Sequence, residues 1–117
     1  MSTNIIYTTT KYSYKKEDNS CFLPGIFCHN ATSEDQLLDY ILMYLTKSDV
    51  KEAWMNENPK AEEIFYVTYK NEFEKNFYHG YRISVINLIN GKTEVMNKDN
   101  NPSLWDKINK LVTETNV

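Results

Sequence analysis

The chain has little of what most catalytic motifs require. Its 117 residues include three glycines, three prolines, two cysteines, two histidines and a single arginine. It contains no glycine-rich phosphate loop, no His-Glu-x-x-His zinc motif and no Gly-x-Ser-x-Gly nucleophile motif. The sequence therefore assigns no catalytic residue, and we expect a protein that is not an enzyme.

Long hydrophobic runs and a strong basic charge are also missing. The first residues lack the basic and apolar regions of a secretory signal, and no apolar run approaches the ~18 residues of a membrane span. The net charge is -3, without the clustered basic residues that bind nucleic acid. We expect a cytoplasmic protein, of the producing or a host cell, that binds neither membrane nor nucleic acid directly.

What the chain does contain is typical of one folded domain. Hydrophobic residues make up 41% and charged residues 25% of the sequence. These proportions and the length predict a single globular domain over residues 1–117 with its own core.

The clearest structural signal is a hairpin within residues 81–97. Two runs rich in β-branched residues flank Asn90-Gly91, and this pair is typical of a two-residue turn because both residues accept a positive φ. Both faces of the ribbon carry apolar residues, which favours a sheet covered on both sides. The predicted register is Ile89 with Lys92, Leu88 with Thr93, Ile86 with Val95 and Val85 with Met96.

The remaining elements are predicted from capping residues and hydrophobic spacing. Strands are expected over residues 4–14 and 64–70, with a turn at Pro24-Gly25 that closes either a tight hairpin or a looser loop. A helix is expected after Ser33, and a second from residue 48 to Asn56. The closing helix starts at Pro102, and its apolar stripe consists of Leu104, Trp105, Ile108, Leu111 and Val112.

These predictions give an α+β fold in the order β-β-α-α-β-β-β-α. An antiparallel meander with the Asn90-Gly91 hairpin forms its centre, and two to three helices pack against it. A homodimer that shares the edge strand or the closing helix remains open.

Cys21, Cys28 and His29 form a small cluster of potential ligands. Their spacing matches no common zinc module and leaves the fourth ligand unassigned, so no metal and no cofactor are expected. The two cysteines are either free thiols or, if the tight hairpin forms, partners in a cross-strand disulfide.

The segment Tyr78-His-Gly-Tyr-Arg82 is the densest in chemically active side chains. Arg82 suits bidentate binding of a phosphate or a carboxylate. One interpretation is a small ligand-binding domain or enzyme that uses Tyr78, His79, Tyr81 and Arg82. The other is a β-bulge at Gly80, with these side chains in structural roles.

Residues 33–63 carry eight acidic residues and three lysines, a charge of -5, whereas both flanking segments are slightly positive. Asp35 and Asp39 lie one helical turn apart. Their surface is either a solvated helix face or an anionic patch that docks on a basic protein. The second interpretation predicts a small interaction protein, such as an inhibitor encoded by a phage or mobile element. Its predicted partner-binding residues are Glu34, Asp35, Asp39, Asp49, Glu52, Trp54 and Glu57.

Overall fold

The computed structural model describes residues 4–18, 20–47, 50–56, 63–68 and 76–115, and these residues form an α+β fold, as predicted. No helix in this part of the chain is long and apolar enough to cross a membrane. The elements are β1 (Ile5–Lys15), β2 (Cys21–Ala31), α1 (Glu34–Lys47), β3 (Val50–Asn56), β4 (Glu63–Thr68), β5 (Phe77–Asn87), β6 (Thr93–Val95) and α2 (Pro102–Thr115).

Strand β5 is the centre of a six-stranded antiparallel sheet. One edge of β5 pairs with β1 over its whole length. Its other edge pairs first with β4 and then with β6. The main path of the sheet is β2-β1-β5-β4-β3, so β2 and β3 are its outer strands.

Both helices pack on the same face of this sheet. Side chains alternate along a strand, so the covered face carries Tyr7, Thr9 and Ser13 of β1 and Tyr81 and Ile83 of β5, all buried. The alternate residues of β1, from Ile6 to Tyr14, are only half-buried. Among the described residues, helices therefore cover one face of the sheet, whereas the sequence favoured cover on both sides.

Helix α1 begins where the capping residues predict. The Ser33 hydroxyl oxygen accepts a hydrogen bond from the Gln36 N–H at 3.1 Å, and the Gln36 side-chain carbonyl accepts one from the Thr32 N–H at 2.8 Å. These bonds satisfy donors that a helix start leaves unpaired. The apolar side of the helix then enters the core through Leu37, Ile41, Tyr44 and Leu45.

Helix α2 begins at Pro102 and closes the core from the chain's C-terminal end. Leu104, Trp105, Ile108 and Val112 are buried, and Leu111 packs partly buried against them. The predicted apolar stripe of the closing helix is confirmed.

The predicted helix from residue 48 to Asn56 is wrong. Val50–Asn56 is strand β3, which pairs antiparallel with β4 and sets Trp54 opposite Phe65 in register. The helical interpretation rested on an acid-rich start, a weak local preference. Backbone pairing with β4 overrides it, so the described residues form two helices.

The predicted turn at Pro24-Gly25 is also wrong. Strand β2 runs through both residues and pairs with β1, with register irregularities. Proline is tolerated there because β2 is an edge strand, where a missing N–H removes no obligatory bond. A Cβ atom on Gly25 would lie 2.7 Å from the outer end of the Tyr12 ring, so a larger residue there would displace that ring.

The hairpin between β5 and β6 is confirmed, but its register is shifted by two residues. Ile86 pairs with Thr93 and not with Val95, and Val85 pairs with Glu94. The loop spans residues 88–91 and is closed by a 2.8 Å bond from the Gly91 N–H to the Asn87 carbonyl. Gly91 has a positive φ of 71°, as the turn chemistry predicts.

Candidate functional site

The outer side of α1 combines two carboxylates with an exposed apolar side chain. Asp35 and Asp39 are exposed and one turn apart, and Leu42, one turn further, is 42% exposed. Positions spaced by four and three residues share one side of a helix. We call Asp35, Asp39 and Leu42 the α1 outer surface.

Glu34 has a different role from its two acidic neighbours. Its carboxylate accepts a 2.9 Å hydrogen bond from the Lys107 ammonium, which joins α1 to α2. This bond and the carboxylate charge raise the pKa of Lys107. Glu34 is therefore partly neutralised by an ion pair between the helices and is less available to a partner than Asp35 or Asp39.

The other predicted partner-binding residues are not placed on a second acidic helix. Glu52 and Trp54 belong to strand β3. Asp49 and Glu57 lie outside the described residues. Of the predicted set, the structure brings together Asp35 and Asp39, with Glu34 beside them.

The alternation of β5 divides the predicted Tyr78–Arg82 site between two faces of the sheet. His79 and Tyr81 are buried on the helix-covered face. Arg82 lies on the other face, where its guanidinium carbon is 4.4 Å from the centroid of the Tyr12 ring and its Nη1 is 3.4 Å from the Tyr12 hydroxyl. Tyr78 occupies the strand position paired with Tyr14. These residues do not converge on one ligand.

The contacts of His79 and Tyr81 are internal to the fold. The His79 Nδ1 lies 2.8 Å from the Ser13 hydroxyl oxygen, a buried contact between β5 and β1. Tyr81 stacks on Tyr44 of α1, with ring centroids 4.4 Å apart. Pairing with β1 continues without a register shift through Gly80, so the predicted bulge there is also wrong.

A hydrogen-bond network that no local sequence pattern predicts joins β1, β2 and α1. The Tyr44 hydroxyl lies 2.6 Å from the His29 Nδ1 and 2.8 Å from the Thr9 hydroxyl. The backbone N–H of His29 in turn donates to the Thr9 hydroxyl oxygen at 3.2 Å. Three residues from distant parts of the sequence thus close a ring of polar contacts at the edge of the core.

Aromatic stacking extends this network. The His29 ring stacks on Tyr40 at 4.4 Å and on Tyr44 at 5.5 Å between ring centroids, and Tyr44 stacks on Tyr81. Stacked rings of this kind contribute packing energy beyond the area they bury. Several of the many tyrosines therefore serve to attach α1 to the sheet.

Burial extends the pH range over which the Tyr44 phenol stays protonated. It raises the pKa of Tyr44 from 10.0 to about 12, against a smaller lowering by the hydrogen bond from Thr9. A neutral phenol has one proton to donate and also accepts hydrogen bonds, which suits its place between the His29 nitrogen and the Thr9 hydroxyl. The arrangement is that of a structural bridge.

Cys28 is a free, half-buried thiol. Burial raises its pKa, which lowers the fraction of reactive thiolate. Cys21 and Cys28 lie on one strand, seven residues and thus roughly 23 Å apart, so the disulfide that a tight hairpin would have allowed is excluded within one chain. Within the described ranges, no three His, Cys, Asp or Glu side chains are grouped to hold a metal ion.

A cleft of about 470 Å³ lies where β1 ends and β5 begins. Its described lining consists of Lys15, Lys16, Glu17, Asn76 and Phe77. The two ammonium groups and one carboxylate make the cleft mixed in charge, and none of these five residues belongs to a predicted site.

Comparison of the chain with protein-family models, curated proteins and solved structures finds no match.

Proposed function

We propose that this protein acts by binding another protein and that the α1 outer surface is its docking site for a basic partner. The observation that carries the proposal is the exposure of Leu42 on the same helix side as Asp35 and Asp39. The opposite side of α1 forms the core, so this side is the one that the helix presents to solvent.

The chemistry of the surface defines the partner. Asp35 and Asp39 form no ion pair with another described residue, and such carboxylates attract a surface rich in Lys and Arg and speed the encounter. The half-exposed Leu42 supplies apolar area, which slows dissociation once water is excluded. The partner is therefore expected to present basic residues around a small apolar depression.

The same proposal extends to the biological setting. A basic groove that binds nucleic acid is one surface that the acidic helix would occupy, and the protein would then act as an inhibitor in the cytoplasm of the producing or a host cell. The abundance of Lys, Asn, Ile and Tyr, whose codons are AT-rich, fits an AT-rich genome such as that of a phage, a mobile element or a low-GC bacterium. An enzyme or ligand site at Tyr78–Arg82 is less favoured because its side chains divide between two faces.

Differential capture tests the proposal. The wild-type protein, the double variant Asp35→Lys/Asp39→Lys and the control variant Asp106→Lys/Glu114→Lys would be used as baits in lysates of the source and of its host. Asp106 and Glu114 are exposed on α2, so the control makes the same change in net charge on another helix.

The expected result is a basic protein captured by wild type and control but lost with the α1 variant. Circular dichroism should show all three baits equally folded, because exposed charges contribute little to stability. Equal capture by all three baits, or equal loss with both variants, contradicts docking at the α1 outer surface.

A further inference from the structure

Strand β2 is a long edge strand without charged residues to protect it. It is outermost in the sheet and eleven residues long. The sequence from residue 19 to residue 33 contains no Asp, Glu, Lys or Arg. Proteins usually keep edge strands short or place charges on them, because an open edge pairs readily with another chain.

The two other strands at an edge of the described part of the sheet, β3 and β6, do contain charged residues in their sequences. Strand β3 contains Lys51 and Glu52. Strand β6 is three residues long, and its Glu94 forms an exposed ion pair with Lys92 at 2.9 Å. The lack of charge on β2 is therefore specific to that edge.

Exposed apolar side chains mark the same strand. Ile26 is 52% and Phe27 58% exposed, and the two are adjacent in sequence. Pro24 has no N–H to donate and interrupts pairing on its side. The part of the described edge that can accept a strand is thus residues 25–31, within which the register with β1 skips Cys28.

We propose that residues 25–31 of β2 pair antiparallel with the same residues of a second copy of this chain. Self-pairing opposes no like charges, because the segment has none. Pairing about Cys28 sets Phe27 of one copy opposite His29 of the other and diagonal to the other copy's Phe27. The two copies are related by a twofold axis. Each supplies its β2 edge, so the dimer leaves no β2 edge unpaired and does not grow further through this strand. A strongly charged partner would gain no electrostatic attraction from this segment.

The dimer uses none of the α1 outer surface, so it does not depend on the proposed function. It joins two sheets into one and leaves Asp35, Asp39 and Leu42 of each copy outside the paired strands. The two proposals can therefore fail separately.

Sedimentation velocity of the full chain over a dilution series tests the dimer. At high concentration we expect the mass of two chains of 13.8 kDa each. Phe27→Lys should reduce the measured mass to that of one chain, because the two introduced ammonium groups then lie close to each other across the twofold axis. Leu88→Lys is the control: Leu88 is 54% exposed in the hairpin loop, and its variant should remain a dimer.

Hydrogen exchange gives a second readout that needs no variant and stands even if Phe27→Lys misfolds. Amides of residues 25–31 should exchange more slowly in the wild-type dimer and faster on dilution, whereas those of β6 should not change. A single-chain mass at every concentration overturns the proposal and would leave the edge to another partner or to solvent. A dimer that survives Phe27→Lys, or one without protection of residues 25–31, overturns it as well.

Discussion

The Nδ1 atom of His29 lies 2.6 Å from the hydroxyl of Tyr44, and this contact attaches edge strand β2 to helix α1. The Tyr44 hydroxyl also lies 2.8 Å from that of Thr9, so one phenol connects the helix with two strands. The network lies between the β2 edge and the helix that carries the acidic surface, and it holds both in place.

Tyr44→Phe should destabilise the fold at neutral pH and reduce its sensitivity to alkali. The loss at pH 7 should be about 1–3 kcal/mol, because the Thr9 and His29 groups lose a buried partner. The pKa of Tyr44 is about 12 in the folded chain against 10.0 ordinarily. Its protonated form therefore favours folding below pH 10, and this contribution is lost as pH rises from 10 to 12.

Urea denaturation at a series of pH values measures this. The free energy of unfolding of the wild type should fall more steeply than that of Tyr44→Phe between pH 10 and 12. Burial also raises the pKa of Tyr7, so the Tyr44→Phe variant should keep some sensitivity to alkali. Parallel curves over this range would show that the Tyr44 phenol is not held protonated by the fold.

Gly91→Val should destabilise the protein by about 1 kcal/mol or more. The reason is backbone strain, because Gly91 has a φ of 71° and a Cβ atom there would meet nothing within 4 Å. Gly91→Asn is the matched control, since asparagine tolerates this conformation, and it should cost clearly less. Equal losses for the two variants in thermal unfolding would assign the effect to something other than φ.

Trp105→Ala should destabilise by roughly 3–5 kcal/mol, because a large buried side chain leaves a cavity. Trp105 is 6% exposed in the core, and the Lys98 ammonium lies 4.8 Å from its ring centroid. Trp105→Phe keeps an aromatic ring, and it removes an indole N–H that has no acceptor among the described residues. In urea denaturation, Trp105→Phe should therefore lose less free energy of unfolding than Trp105→Ala. An unchanged urea midpoint for Trp105→Ala would place the Trp105 side chain outside the core.

The sequence was sufficient where local chemistry decides the structure. The Ser33 cap, the apolar side of α1 and Pro102 at the start of α2 all act within one or two helical turns. The hairpin at Asn90-Gly91 was predicted for the same reason. Its register was not, because the Asn87 side-chain oxygen accepts hydrogen bonds from the N–H groups of Ile89 at 2.9 Å and Asn90 at 3.4 Å, which supports a longer loop.

The sequence was insufficient where a distant strand decides the structure. Val50–Asn56 becomes a strand because β4 pairs with it, and β2 runs through Pro24 because β1 pairs beside it. The candidate site shows the same division. Asp35 and Asp39 follow from helical spacing, whereas the network of Thr9, His29 and Tyr44 joins residues 20 and 35 positions apart and has no local pattern.

The association rate of the captured partner with the α1 outer surface tests the account most directly. With purified proteins at low salt, binding by wild type and by Asp106→Lys/Glu114→Lys should be fast and should slow as added salt screens the charges. Binding by Asp35→Lys/Asp39→Lys should be slower by about tenfold or more and should lose most of its salt dependence. Association of the α1 variant as fast as wild type at low salt would contradict the account.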